Sequence, residues 1–410
     1  NGTELKMSAM LLLSAFFSLL YAASLHAGTK VLPAANVSLL GGKYYLDDKA
    51  ASFQGKADAF FSPLVKFNEA SELVPVYSGY YNGTQDITEL AGGGVLTRKR
   101  QGHNLALKYV NTRGFDKYKP RVSYSKTLIS ETTDEKWGKG LFDYNVFSMG
   151  LEAEQERPHG TFTESYDFFS VKYPNYSTLL SRSAGALDAA TFSELSANTG
   201  ADTLDNINHR LGLSYTWFPA SQALTLGYDM TYRRYGKQAV VAEPTAGSAL
   251  FTGDKRRDLL QNLAFRLART MKPLTLSLGS DFSWLSSNQN SYDASRTKFT
   301  GDYYSYLEFG LAAGMNFDFR NGARFGFTAD YSRLYYLGRL KQDASGNYSE
   351  TKTSQDAWLT SFYARYPVTG GFFAKASYHY QISNSNMRYE ANYKYNYRAS
   401  TVVMGLEWGF

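Results

Sequence analysis

Apolar and polar residues alternate with a period of two through much of this chain. Leu307, Phe309, Leu311, Ala313, Met315 and Phe317 hold one parity, and Glu308, Gly310, Gly314, Asn316 and Asp318 hold the other. That period belongs to a β-strand whose two faces meet different surroundings. The same division separates Leu224, Leu226, Tyr228, Met230 and Tyr232 from Thr225, Gly227, Asp229, Thr231 and Arg233. It recurs from Leu274 to Trp284, from Phe325 to Tyr331 and from Phe372 to Tyr380, and more briefly from Leu211 to Trp217 and from Phe147 to Ala153. At the end of the chain Val402, Met404, Leu406, Trp408 and Phe410 share one parity. A strand showing such a row to water would be an aggregation site, so one face of each segment must meet a protein core or lipid.

The pattern predicts sixteen segments, near 36–46, 55–67, 72–82, 102–111, 119–130, 144–156, 161–173, 206–218, 222–236, 257–270, 273–286, 302–318, 323–338, 356–367, 371–384 and 398–410. Pro63 and Pro75 fall inside the second and third, where proline removes a ladder donor, so fourteen strands are the alternative. The connections alternate in length. Counting back from Phe410, the stretches "SNMRYEANYKYN", "KQDASGNYSETKTSQ", "SNQNSYDASRTKFTG" and "KQAVVAEPTAGSALFTGD" are long, whereas "VTGG", "FRNG", "MK" and "PAS" are short. A water-soluble sandwich has no reason to gather its long loops at one end, but a membrane barrel has short turns on one side and long loops on the other.

Polarity sets the direction of the faces. A soluble barrel would point its bulky apolar rows inward, into a core too small for so many of them. In lipid the order inverts: apolar rows face out, a polar interior faces in, and closure of the sheet satisfies every backbone group. The expected fold is therefore all-β, a transmembrane antiparallel up-and-down barrel of about sixteen strands. Trp217, Trp284, Trp358, Trp408 and the pair Tyr335–Tyr336 lie near segment ends, where interfacial girdles are expected.

Composition agrees with this and removes other classes. The 410 residues include 33 Tyr, 27 Phe and 35 Gly with only 10 Pro, a mixture favouring strands and tight turns over helices. With no Cys there is neither a disulfide framework nor a thiolate metal site. A net charge of +6 without a basic run leaves no nucleic-acid footprint. Near the start, "MLLLSAFFSLLYAASLHAG" follows Lys6 and reads as a secretory signal, residues 1–27 with cleavage after Ala27, leaving 28–410 as a single barrel domain.

The alternating C-terminal residues Val402, Met404, Leu406, Trp408 and Phe410 resemble the signal that the barrel assembly machinery recognises in Gram-negative outer-membrane barrels. The whole chain resembles that porin-like class, although no motif particular to one family is present. The resemblance implies an integral outer-membrane protein with outer-membrane lipid and the assembly machinery as partners. An even strand count places both termini on the periplasmic side.

Parity assigns Arg121, Arg210, Arg233, Arg266, Arg324, Arg365, Lys375, Glu152, Asp229, Asp281, Glu308 and Asp330 to the lumen, together with Lys108, Glu154 and Glu407. A lumen of about sixteen strands is wide enough for water and small solutes, so the leading expectation is a pore for passive or weakly selective diffusion. The alternative use of the same charges is as paired structural ladders in a plugged barrel. General porins of this size narrow the pore with the third loop, but here "ETTDEKWGKGLFDY" is modest; residues 183–200 of the fourth loop are expected to form a short helix that folds inward or caps the mouth. A second reading is a structural or export barrel in a secretion or assembly complex, and homo-oligomers fit either. An enzyme is not expected: of the four histidines after the signal, His103 and His209 carry lipid-facing parity, His159 falls in a turn, and lumenal His379 has no partner evident in sequence. No cofactor or metal is expected.

Overall fold

The computed structural model describes residues 29–47, 49–84, 87–88, 95–96, 99–130, 136–176, 202–219, 221–244, 250–293, 296–390 and 394–409. Sixteen long strands follow one another in antiparallel order: β1 (Ala35–Leu46), β2 (Lys49–Phe61), β3 (Ser71–Thr84), β4 (Lys99–Arg113), β5 (Asp116–Ser130), β6 (Tyr144–Arg157), β7 (Gly160–Lys172) and β8 (Asn206–Trp217). Then come β9 (Gln222–Val241), β10 (Phe251–Met271), β11 (Leu274–Ser287), β12 (Tyr306–Asp318), β13 (Arg324–Gln342), β14 (Tyr348–Thr369), β15 (Phe372–Ser385) and β16 (Tyr397–Gly409). Each pairs with its sequence neighbour, and β16 returns to β1 in a ladder running from Asn36↔Gly409 to Leu46↔Ala399. The barrel sheet is closed, so none of these sixteen strands lies at an open edge. Among the described residues there is no helix long and apolar enough to cross a membrane; the crossing is made by strands.

Register fixes the two faces. Leu274↔Phe317, Leu276↔Met315 and Leu278↔Ala313 lie on one face of β11–β12, continued by Met315↔Phe327 and Ala313↔Ala329 on β12–β13. These rows point outward: Leu311 is 44% exposed, Met404 63% and Leu406 57%, whereas Val403 and Glu407, one residue away, are 3% and 8% exposed. An exposed apolar belt of that extent is tolerated in lipid, not in water. This is the build of an outer-membrane β-barrel. Trp217 and Trp408 stand outward at the end with the short turns, and Trp284, Trp358 and Tyr335 stand outward at the opposite end. Tyr336 departs from the expected girdle. It pairs with Tyr306 on the inner face and lies under the Arg339 guanidinium, 3.9 Å from the ring centroid.

Most connections at one end are tight, among them residues 114–115, 158–159, 272–273 and 370–371. The first hairpin reverses the rule. Residues 47–48 join β1 to β2 at the loop end, and the opposite connection, 62–70, holds the short strand Leu64–Asn68, which pairs with Lys30–Leu32 and buries Val65 completely. The second segment thus runs over 49–61, not 55–67. Pro63 lies outside it, in the connection, while Pro75 stays within β3 opposite Leu107. Four strands also outrun their sequence patterns. β9–β10 and β13–β14 continue past register shifts after Arg234 and Tyr335, so most of "KQDASGNYSETKTSQ" is strand. Beyond the belt a ribbon meets water on both faces, so its backbone still pairs but its sequence no longer alternates. The expected signal at 1–27, the residues 183–200 and Phe410 all lie outside the described residues.

Two glycines make the closing seam close. A Cβ on Gly42 would run into the Val402 carbonyl, and one on Gly405 into the Leu39 carbonyl. Each position therefore needs a residue without a side chain where β1 and β16 meet.

Candidate functional site: the charged lumen

The inner parity collects the polar side chains into two unlike walls. On β5, Lys117, Lys119 and Arg121 stand at successive inward positions; on β6, Glu152, Glu154 and Glu156 do the same in antiparallel register. The result is a continuous ladder. Lys119 Nζ donates to Glu152 Oε1 at 2.8 Å and also reaches Glu154, while Lys117 Nζ donates to Glu154 Oε1 at 3.1 Å and also reaches Glu156. Lys108 on β4 lies 3.5 Å from Glu152 Oε1. Arg121 spans three strands, donating Nη1 to Glu152 at 2.7 Å and, with Nε and Nη2, clasping Asp167 of β7 at 2.9 and 2.7 Å. That reach depends on Gly150, which lies in register between Arg121 and Asp167; a Cβ there would collide with the Asp167 carboxylate.

From β8 onward the charges are spaced by Gly, Ser and Asn. Arg210 donates Nε and Nη2 to Asp229 Oδ1 at 3.0 and 2.7 Å, and Arg266 Nη2 reaches both Asp281 oxygens at 2.7 Å. Arg233 donates to Asn208 at 3.0 Å and lies 3.8 Å from Asp258, which is already held by Arg256 and by Ser287 Oγ at 2.6 Å. Glu308 and Asp330 also take inward parity, and among the described residues no cation lies within ion-pair distance of either. These groups border a cavity of about 660 Å³ lined by four carboxylates, Asp229, Asp281, Glu308 and Asp330, and by the guanidinium groups of Arg210 and Arg233.

Near the seam, Arg365 Nε and Lys375 Nζ converge on buried Glu407 at 2.8 and 3.0 Å. Arg324, opposite Arg365 in register, pairs with Asp318 beside the 319–323 turn. At the loop end two arginines sit between tyrosine rings: Arg256 is 4.7 Å from the Tyr235 centroid and 4.5 Å from that of Tyr304, and Arg339 is 4.4 Å from Tyr303. Such stacking fixes a guanidinium without removing its charge.

The twelve residues that alternation assigns to the lumen share one face of the sheet by register, but they form no single site. Arg121 and Glu152 belong to the ladder, Arg365 and Lys375 to the seam, Arg324 to a turn, Arg210, Arg233, Asp229, Asp281, Glu308 and Asp330 to the cavity, and Arg266 to an ion pair with Asp281 beside it. Lys117, Lys119, Glu156 and Asp167 extend the ladder beyond the expected set; their signal was present as the spacing Lys-x-Lys-x-Arg on one strand and Glu-x-Glu-x-Glu on the next. Of the histidines, His379 shares a 2.8 Å contact between Nδ1 and Ser361 Oγ on the lumenal side, and His209 contacts Tyr166 Oη at 2.7 Å on the outer side. Among the described residues no group of three or more His, Asp or Glu is placed to hold a metal.

No family model matches the chain, and no curated protein matches it. Among solved structures it is similar to OccAB4 of Acinetobacter baumannii, with a TM-score of 0.47 and 10% identity over 92% of this chain and 98% of that one. It is also similar to the trimer form of OmpT, an outer membrane protein of Vibrio cholerae, with a TM-score of 0.44 and 12% identity over 93% and 99% of the two chains. A third similar structure is a bacterial polysaccharide outer membrane secretin, with a TM-score of 0.43 and 6% identity over 92% and 98%.

Proposed function

We propose that this barrel is a pore through which small hydrophilic solutes diffuse passively across the outer membrane, with weak selection by charge. The observation that carries this reading is the lumenal cavity of about 660 Å³, bordered by charged and amide side chains. At about 30 Å³ per molecule it has room for roughly twenty waters. Ion pairs on its wall orient that water, and Glu308 and Asp330, which have no ion-pair partner among the described residues, give it a surplus of negative charge. The long-loop end faces outward from the cell, both termini are periplasmic, and the chain after residue 27 forms the one barrel domain. Outer-membrane lipid and the assembly machinery are its partners; Trp408→Ser combined with deletion of Phe410 should lower the yield of heat-resistant barrel in cells, and an unchanged yield would overturn the assembly-signal reading.

The test is conductance of purified protein in a planar bilayer. Steady single-channel current is expected from the full chain. If the segment 183–200 occludes the lumen, its deletion will open a conductance that the intact protein lacks. A folded, inserted protein silent in both forms overturns the pore and leaves an export or structural barrel.

A further inference from the structure

The outer face of β7–β10 changes character within one rung of the ladder. Phe168, His209, Tyr232 and Leu259 form one outward row, and the next row toward the loop end is Ser170, Ile207, Arg234 and Arg257. Arg234 and Arg257 are direct cross-strand partners, and both are exposed. Two like charges placed opposite each other in a sheet repel. Nothing in the described fold offsets this: among the described residues neither side chain forms an ion pair, whereas the lumenal Arg210, Arg266, Arg324 and Arg365 each have a carboxylate. The arrangement is that of a site completed by an anion.

Its surroundings say which kind of anion. Phe168, Ile207, His209, Tyr232, Arg234 and Arg257 together line an outward-facing hollow of about 500 Å³. Beside it a second hollow of about 310 Å³ adds Lys172. It also contains Asp205, whose carboxylate already accepts the Tyr173 N–H at 2.8 Å. The floor is aromatic and aliphatic, and the rim is cationic. From Leu224 to Arg234 the outward row covers ten residues, which at about 3.3 Å per residue and a tilt of about 40° amounts to roughly 25 Å, the height of an apolar belt. The arginines therefore stand where acyl chains end and headgroups begin.

We infer that this groove binds the phosphate-bearing headgroup of a lipid in the leaflet at the loop end. Arg234 and Arg257 take the phosphate, and the lipid chains lie along Phe168, Ile207 and the row below. A free small anion has no use for the apolar floor, and a neutral lipid has none for the opposed arginines. The inference needs the belt to lie in a bilayer but does not need the lumen to conduct.

The experiment is native mass spectrometry of the full chain in an uncharged detergent, with added lipid A, a glycolipid carrying two phosphates. At about 1 kcal/mol per arginine, the double substitution Arg234→Gln with Arg257→Gln is expected to weaken lipid A retention on the order of tenfold to thirtyfold. Arg333→Gln serves as the control. It is also outward, but lies 3.8 Å from Asp356 and should leave retention unchanged. Heat-modifiability verifies that each variant is folded, and conductance of the double variant should equal that of the parent because neither residue touches the lumen. Equal retention by the double variant overturns the inference. So does equal retention of dephosphorylated lipid A, or displacement of lipid A by inorganic phosphate at matched concentration, which would mark a free-anion site.

Discussion

The two walls of the lumen use the same side chains to different ends. On β4–β7, Lys108, Lys117, Lys119 and Arg121 face Glu152, Glu154, Glu156 and Asp167, and every one of these eight charges touches an opposite one. On β8–β13 the neighbours of a charge are Gly227, Gly279, Gly310, Ser283 and Asn262, and among the described residues no cation lies within ion-pair distance of Glu308 or Asp330. The difference lies in spacing. Like charges repeated at every second residue along one strand, set beside a strand of the opposite sign, neutralise each other and fill space. Charges interrupted by small residues leave a hollow and stay exposed to water. A charged lumenal residue is thus a strut or a solvated group according to what stands on the strands beside it.

The comparison presupposes which face is the lumen, and that is where the largest effect is expected. Leu311→Arg puts a cation on the outer face in mid-strand and should destabilise the barrel by about 2–4 kcal/mol, read from urea unfolding in lipid vesicles. Gly310→Arg puts the same side chain inside. A Cβ at Gly310 meets Asp281 and the Tyr331 carbonyl at 3.7–3.9 Å, ordinary contact distances, so the loss there should stay below about 1 kcal/mol. Equal losses at both positions would reverse the assignment of faces.

Next in size is the contrast between walls. Arg121→Ala strips the partner from Asp167 and one partner from Glu152, two carboxylates largely shielded from water. Removing one member of a fully buried pair costs about 3–5 kcal/mol; water in the lumen reduces this to about 2–3 kcal/mol. Arg266→Ala removes an equally well-formed contact with Asp281, but both groups are substantially exposed, so about 0–1 kcal/mol is expected. If the two variants lost the same stability, the ladder would be no more structural than the cavity.

How far the sequence foretold this division follows from the same spacing. Alternation over Leu307–Phe317 or Val402–Gly409 is enough to place a strand, its faces and its neighbours, because lipid on one side and water on the other act on every second residue. It fails where that contrast ends: in the ribbons beyond Arg234 and Tyr335, which meet water on both faces, and in the first hairpin, where Val65 packs against a short added strand. Parity puts Arg121 and Glu308 alike in the lumen, but it does not say that one is bonded and the other free. That depends on diagonal partners, such as Asp167 reached across Gly150, and these appear only once the register of three strands is known.

A smaller effect separates charge from stability on the cavity wall. Glu308→Gln with Asp330→Asn removes two carboxylates that hold no cation, so stability should change by less than about 0.5 kcal/mol. If the barrel conducts as proposed, permeating cations lose a favourable potential, and the reversal potential in a salt gradient should move toward anion selectivity. Neutralising Arg266, Arg324 and Arg365 together should move it the other way. A shift in the same direction from both variants would show that these groups do not set the potential in the pore.

The smallest effect tests the strut-or-solvated rule where no cation is involved. In the loop between β13 and β14, the Asp343 carboxylate accepts the Ser345 and Asn347 backbone N–H groups at 2.9 Å each and Asn347 Nδ2 at 3.0 Å, while Gly346 turns the chain at φ 84°. The Asn347 backbone N–H, more than any other donor, holds this carboxyl below the usual carboxylate range. A depressed value means that the ionised form stabilises the loop. The contribution is fully present above the ordinary carboxylate value of about 4 and disappears as pH falls through the lowered one. Protection factors for amide exchange at Ser345 and Asn347 in the full chain should therefore be flat from neutral pH down to the ordinary carboxylate range and fall only below it. Protection that fell well above that range would mean that a group other than this carboxyl controls the turn. Protection that never fell would mean that the turn is held by its backbone bonds, Gly346 N–H to the Asp343 carbonyl at 2.9 Å and Asp343 N–H to the Asn347 carbonyl at 3.0 Å, with the side chain a bystander.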